Sequence, residues 1–138
     1  EIDQSVASSL PGAFGAIKRR SAPLKGSGGP GKVYDIDGSQ LSTNKGYIGK
    51  TRQAELAKRM AGKDHRSKTP TGKPPTAGLL ADELTLDEQA GVEALLIDDV
   101  GLENLTNKIR GLDLDAPKNR NRVEAGTKLL KKAMDEEQ

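Results

Sequence analysis

The chain contains no cysteine and no tryptophan, and among its 138 residues there is one histidine, one phenylalanine and two tyrosines. Without cysteine there are no disulfide staples, no thiolate metal sites and no cysteine nucleophiles. The fold is then independent of redox compartment, which suits a domain that crosses from one cell to another. One histidine with no cysteine also makes a zinc site a poor expectation. No apolar run approaches the ~20 residues of a membrane span. Hydrophobic residues make up 33% and the mean hydropathy is −0.66, so the core must be modest. Sixteen glycines and seven prolines imply that part of the length is not packed. The length suits one small domain with a tail. The first residue is Glu1 and no signal-peptide pattern follows, so the expectation is a piece cut from a longer polypeptide.

Net charge is only +2, yet it is segregated. Residues 45–75 hold Lys45, Lys50, Arg52, Lys58, Arg59, Lys63, Arg66, Lys68 and Lys73 against Glu55 and Asp64, whereas residues 81–104 hold acids and no base. Two readings follow. One is a pair of solvated helix faces. The other is a phosphate-facing patch beside an acidic element that supplies a metal ligand. The near-neutral total argues against a protein that only coats nucleic acid.

Residues 1–31 read as a largely flexible leader, and 32–138 as the domain proper. Ser21–Gly31 is a Gly/Ser/Pro linker. Ahead of it Ile2, Val6, Leu10 and Phe14 recur at a spacing of four and predict a short amphipathic helix. A strand is predicted at Lys32–Ile36, a turn at Asp37-Gly38, and a second strand near Gly46–Gly49. Thr51 caps a predicted helix running to about Ala61, with Ala54, Ala57, Met60 and Ala61 inward. Residues 62–76 read as a long basic loop without regular structure. Ala77–Leu84 reads as a third strand. Thr85-Leu86-Asp87-Glu88 is a capping box. It opens a helix with Leu86, Ala90, Glu93, Leu96, Ile97 and Val100 on one face, ended by Gly101. A loop through Asn104–Asn107 follows, and Pro117 opens a last helix through Met134, with Val123, Leu130 and Met134 inward. The fold class is α+β: a small three-stranded mixed or antiparallel sheet flanked by helices.

Several lookalike motifs fail on chemistry. Gly26-x4-Gly31-Lys32 has the glycine spacing of a nucleotide-binding loop, but Val33 stands where a Ser or Thr would hold Mg²⁺. Gly49-Lys50-Thr51 ends like such a loop, but Asn44 replaces its first glycine. Asp35-x-Asp37-Gly38 lacks the later ligands of a calcium loop and reads as a turn. Glu93 is different. A carboxylate on an apolar helix stripe is costly unless paired, protonated or metal-bound. It is either a half-exposed Glu at the helix edge or an oxygen ligand for Mg²⁺, which binds through few protein groups.

The two tyrosines sit in short apolar runs, Val33-Tyr34-Asp35-Ile36 and Gly46-Tyr47-Ile48-Gly49. This pair resembles the motif that names the GIY-YIG nuclease family. Arg59, His65, Glu93 before Leu96-Ile97, and Asn107 follow in the family's order, over roughly residues 32–110. The chain departs from the pattern in Val33-Tyr34, where the family has Gly-Ile-Tyr, and in a longer gap between tyrosines. Arg59 also falls slightly late, which keeps Arg52 as a rival.

The resemblance implies a divalent-metal-dependent endonuclease, with one Mg²⁺ or Mn²⁺ held by Glu93. Tyr34 would accept the proton of the attacking water or position it. Arg59 would pair with the scissile phosphate, and Tyr47 and His65 would bond phosphate or water. Gly49, Lys50, Arg52, Lys63 and Arg66 would line the substrate path, with Gly49 allowing close backbone approach, and Asn107 would stitch loop to helix. A phenol with a pKa of about 10 is a poor base at pH 7, so the tyrosines need a metal or cationic neighbours to lower it.

The detached start, the leader, and the run from Glu88 to Ile109 further resemble the C-terminal toxin of a bacterial polymorphic toxin. Such a domain is a secreted effector delivered into a target cell. It is monomeric when free, it degrades nucleic acid (DNA ahead of RNA), and a cognate immunity protein blocks it. The rival readings are a non-catalytic nucleic-acid-binding or adaptor module on the same scaffold, a ribonuclease toxin, and a toxin with glycosidase or transferase chemistry.

Overall fold

The computed structural model describes residues 9–137. Its strands are Leu24–Lys25 (β1), Gly31–Ile36 (β2), Tyr47–Thr51 (β3) and Ala77–Leu84 (β4). Its α-helices are Ala13–Lys18 (α1), Leu56–Met60 (α2), Lys63–Arg66 (α3), Leu86–Val100 (α4) and Arg120–Glu137 (α5). Strand β2 pairs antiparallel with β3 on one side and with β4 on the other, and β1 adds parallel to β4. The result is a four-stranded mixed sheet of order β1-β4-β2-β3, flanked by helices. The α+β class expected from the sequence is what the structure shows, with one short strand more than predicted.

Period-two alternation divides the molecule at the sheet. Val33 and Ile48 join the main core with Leu95, Leu96, Ile97 and Leu130. Tyr34 and Ile36 point to the other side, into a smaller cluster with Leu41 and Met60. Helix α4 opens where the sequence places it. The Thr85 hydroxyl accepts from the Glu88 amide, and the Glu88 carboxylate accepts from the Thr85 amide. One difference lies in its first turn: Leu86, expected inward, is 61% exposed. Helix α5 crosses α4 at two glycines. A Cβ on Gly91 would stand 1.9 Å from the Arg122 carbonyl oxygen, and one on Gly126 2.5 Å from the Gly91 carbonyl carbon. Only residues without a side chain let the two backbones approach this closely.

Three expectations are corrected. From residue 9 onward, the segment read as a leader and linker is built into the core. Leu10, Ala13, Ile17 and Leu24 are buried in the main cluster, with Phe14 packed against it. The Asp99 carboxylate accepts the amides of Gly12 and Phe14 at the start of α1, and Glu88 accepts both the amide and the hydroxyl of Ser27. Ile2 and Val6 lie outside the described residues. Second, Thr51 does not cap a helix; it is the last residue of β3, and α2 starts only at Leu56. Of the four residues expected inward there, Met60 alone is buried, while Ala54, Ala57 and Ala61 are exposed. Third, the basic loop 62–76 contains α3, a single helical turn that buries His65.

Candidate active site

The register of β2 on β3 builds the site. It sets Tyr34 opposite Gly49 and Ile36 opposite Tyr47. A Cβ on Gly49 would lie 2.5 Å from the Tyr34 hydroxyl oxygen and 2.8 Å from the Tyr47 ring. Gly49 therefore makes room for the two rings. The rings are tilted with centroids 6.3 Å apart. His65 closes the cluster edge-on, 5.7 Å from Tyr34 and 5.2 Å from Tyr47.

Tyr34 and His65 are both fully buried, and the Tyr34 oxygen lies 2.7 Å from His65 Nε2. His65 Nδ1 is buried without a hydrogen-bond partner among the described residues. Burial, and then the Arg59 charge, push the imidazole down to about 4, so it is neutral at pH 7. Burial holds Tyr34 well above the ordinary phenol value, the neighbouring Tyr47 adds to this, and Arg59 opposes it. Tyr47 is raised by burial and by Glu93, again opposed by Arg59. In this arrangement neither phenol ionises unaided.

Arg59 and Glu93 thus bear electrostatically on both tyrosines. Arg59, at the end of α2, makes a bidentate pair with Asp64, Nη1 to Oδ1 at 3.0 Å and Nη2 to Oδ2 at 2.9 Å. Arg52 is exposed and is not among the charges that perturb either tyrosine, so Arg59 is the arginine of the cluster. Glu93, on α4, is 8% exposed, and its Oε1 lies 3.4 Å from Lys50 Nζ. Burial raises Glu93, with Lys50 opposing. Gly111 in the following loop comes so close that a Cβ there would be 3.1 Å from Glu93 Oε1. Among the described residues no group of three or more His, Cys, Asp or Glu side chains could enclose a metal. The donor set is one partly desolvated carboxylate with an exposed-side lysine beside it. This set does not make the full protein cage that some metals demand, and the Lys50 ammonium stands at one of the two Glu93 oxygens.

The other predicted residues are dispersed. Lys63 and Arg66 are exposed on α3, and Arg66 Nε donates to the Ala61 carbonyl. Asn107 has the supporting role expected of it but a different partner. Its side-chain oxygen accepts the Ile48 amide at 3.0 Å and its Nδ2 donates to the Ile48 carbonyl at 2.7 Å, joining the loop to β3 and not to the helix.

Three residues of the site escape sequence reasoning. Lys68 Nζ sits 5.0 Å from the Tyr47 ring centroid, a cation–π arrangement; a spacing signal for it is lacking, since it belongs to the general basic run. Asp64, which pairs with Arg59, stands in the sequence only as a minority acid of that basic run. Gln89 is buried on α4 one turn before Glu93, and its Nε2 donates to the carbonyls of Lys32 and Thr51. It ties α4 to the ends of β2 and β3, and so positions Glu93; a polar residue on an apolar stripe was its visible sign.

No family model matches the chain, and no curated protein and no solved structure matches it either. No helix among the described residues is long and apolar enough to cross a membrane.

Proposed function

We propose that this chain is a divalent-metal-dependent endonuclease of the GIY-YIG type, acting as the DNA-degrading toxin of a bacterial polymorphic toxin system. In that reading it is a secreted effector, delivered into the target-cell cytoplasm and restrained by a cognate immunity protein. The observation that carries the catalytic part is one cluster: the Tyr34–His65 hydrogen bond, with Tyr47 against both rings and the charges of Arg59 and Glu93 bearing on the tyrosines. Five separate elements supply it, and each supplies a residue type that phosphodiester hydrolysis uses.

The roles follow from the chemistry. Tyr34, held un-ionised by burial, positions the attacking water. Its oxygen orients that water, His65 Nε2 holds the hydroxyl in place at 2.7 Å, and the water's proton leaves to solvent. The new O–P bond forms as the bond to the leaving oxygen breaks. Arg59 presents a planar fork to the phosphoryl oxygens. Lys50 and Lys68 add positive charge at the rim. Glu93 is the residue that would hold a single Mg²⁺ or Mn²⁺, whose chemistry when bound is neutralisation of charge at the phosphate and the leaving oxygen.

Purified chain incubated with plasmid DNA, single-stranded DNA and tRNA, with and without EDTA, tests the proposal. The expected result is EDTA-sensitive cutting of duplex DNA, lost in Glu93→Gln and reduced about 100-fold in Tyr34→Phe. Glu93→Gln and Arg59→Ala proteins that cut as well as wild type would sink the assignment. One observation favours a second reading, a non-catalytic nucleic-acid-binding module: Arg59 and Glu93 both already sit in ion pairs, with Asp64 and Lys50. Steeply salt-dependent binding without cleavage under any metal would select it.

A further inference from the structure

Two cations at the tyrosine cluster are held by a single residue. Arg59 closes its guanidinium fork on both oxygens of Asp64, at 3.0 and 2.9 Å. Lys68, over the Tyr47 ring, donates its Nζ to the main-chain carbonyl of the same Asp64 at 3.0 Å. The carboxylate side chain is 55% exposed, whereas that of Arg59 is 25% exposed. The acid is therefore the partner that can leave, and the arginine the one that stays. A carboxylate in a guanidinium fork presents the same two-oxygen edge as a phosphodiester.

We propose that Asp64 is a stand-in for the scissile phosphate: it keeps Arg59 and Lys68 assembled as a two-cation clamp, and a nucleic-acid phosphoryl group displaces its side chain from the Arg59 fork on binding. The inference rests on the nuclease reading and deepens it, because it names how the site is kept closed until a polyanion arrives. Arg59, foremost among its neighbours, holds the Asp64 carboxyl well below the usual carboxylate range, so the stand-in is charged at every working pH. Lys68 is lowered by burial and by the Arg59 and Lys108 charges, opposed by Asp64, and so gains from any incoming anion. Solvent reaches the Asp64 side of the pair, 55% exposed, so an incoming anion can approach the fork from there.

The alternative is that Asp64 merely orients Arg59, in which case its removal weakens substrate binding. Affinity for a short DNA duplex, measured on full chains carrying Glu93→Gln to prevent cutting, separates the two. With the stand-in, Asp64→Asn binds the duplex about fivefold tighter, the competition of one exposed pair. In proteins with Glu93 intact, KM falls by the same factor. Asp64→Glu behaves as wild type, and Lys68→Met weakens binding several-fold in either background. A well-folded Asp64→Asn protein with equal or weaker duplex affinity overturns the inference.

A second measurement needs no Asp64 variant. The ¹³C resonance of the Asp64 carboxylate in the Glu93→Gln protein moves to its solvent-exposed value when duplex is added; a resonance that stays put in the bound complex overturns the inference equally. Wild type that binds and cuts, with Asp64→Asn no tighter, removes the stand-in alone. Wild type that neither binds nor cuts nucleic acid removes the nuclease reading and the stand-in together.

Discussion

On the face of the sheet that carries Val33 and Ile48, side chains of α1, α4 and α5 close a core with little polar content, and two glycines bring α4 and α5 into backbone contact. On the face that carries Tyr34, the buried set is four residues, and it is shared with a histidine, an arginine–aspartate pair and a lysine. The first face gains from apolar area removed from water. The second places titratable groups where water is partly excluded, and burial shifts His65 down and Tyr34 and Tyr47 up. One sheet separates the region that holds the fold from the region that stores chemical potential. Glu93 is the exception that links them, a carboxylate on the core helix whose charge reaches both tyrosines.

The sharpest way to break this division is to attack the first face. Gly91→Val drives a side chain into the Arg122 carbonyl and costs on the order of 4 kcal/mol or more; loss of a cooperative thermal transition is the readout. Next comes the second face under acid. His65 titrates near 6.5 in the unfolded chain but at about 4 in the fold, among Arg59, Asp64 and Lys68. Below pH 6.5 the unfolded state binds a proton that the native state refuses. Stability is therefore intact above 6.5 and is lost progressively down to about pH 4, by roughly 3 kcal/mol in total. Urea midpoints across that range should show the decline, and His65→Gln should flatten it.

Tyr34→Phe sharpens the comparison from the other side. It keeps the buried ring and removes one hydroxyl, leaving the buried His65 Nε2 unpaired, so the melting midpoint falls by several degrees while plasmid cutting falls about 100-fold. Equal losses of stability and activity would show that the tyrosine is core filler after all. The smallest effect belongs to a pair outside both regions. Arg122 and Asp87 are half-exposed and 3.7 Å apart, and Arg122→Ala should move the midpoint by no more than about 2 °C.

The difference between the faces also explains what could be read in advance. The boundaries of β4 and the capping box of α4 were legible because turn-forming and capping chemistry is local. The site residues Tyr34, Tyr47, Arg59, His65 and Glu93 were legible as residue types in an order, and the structure brings their rings and charges together. What escaped is whatever depends on distant partners. Strand β1 is two residues in a Gly/Ser/Pro stretch, and it exists because β4 offers an open edge. The helix expected from Thr51 starts late because β3 continues to pair with β2 through Thr51. Lys68 and Asp64 carry no periodic signal, so their roles appear only when α3 folds back against β3.

Asn107 has one more consequence. Strand β3 ends the sheet, and such an edge presents unpaired amides and carbonyls to any other chain that can extend alongside it. At Ile48 the Asn107 side chain answers both groups, accepting from one and donating to the other as a neighbouring strand would. A single amide thereby acts as a plug against self-association at the rim of the candidate site. Its loss should announce itself first as aggregation at high concentration.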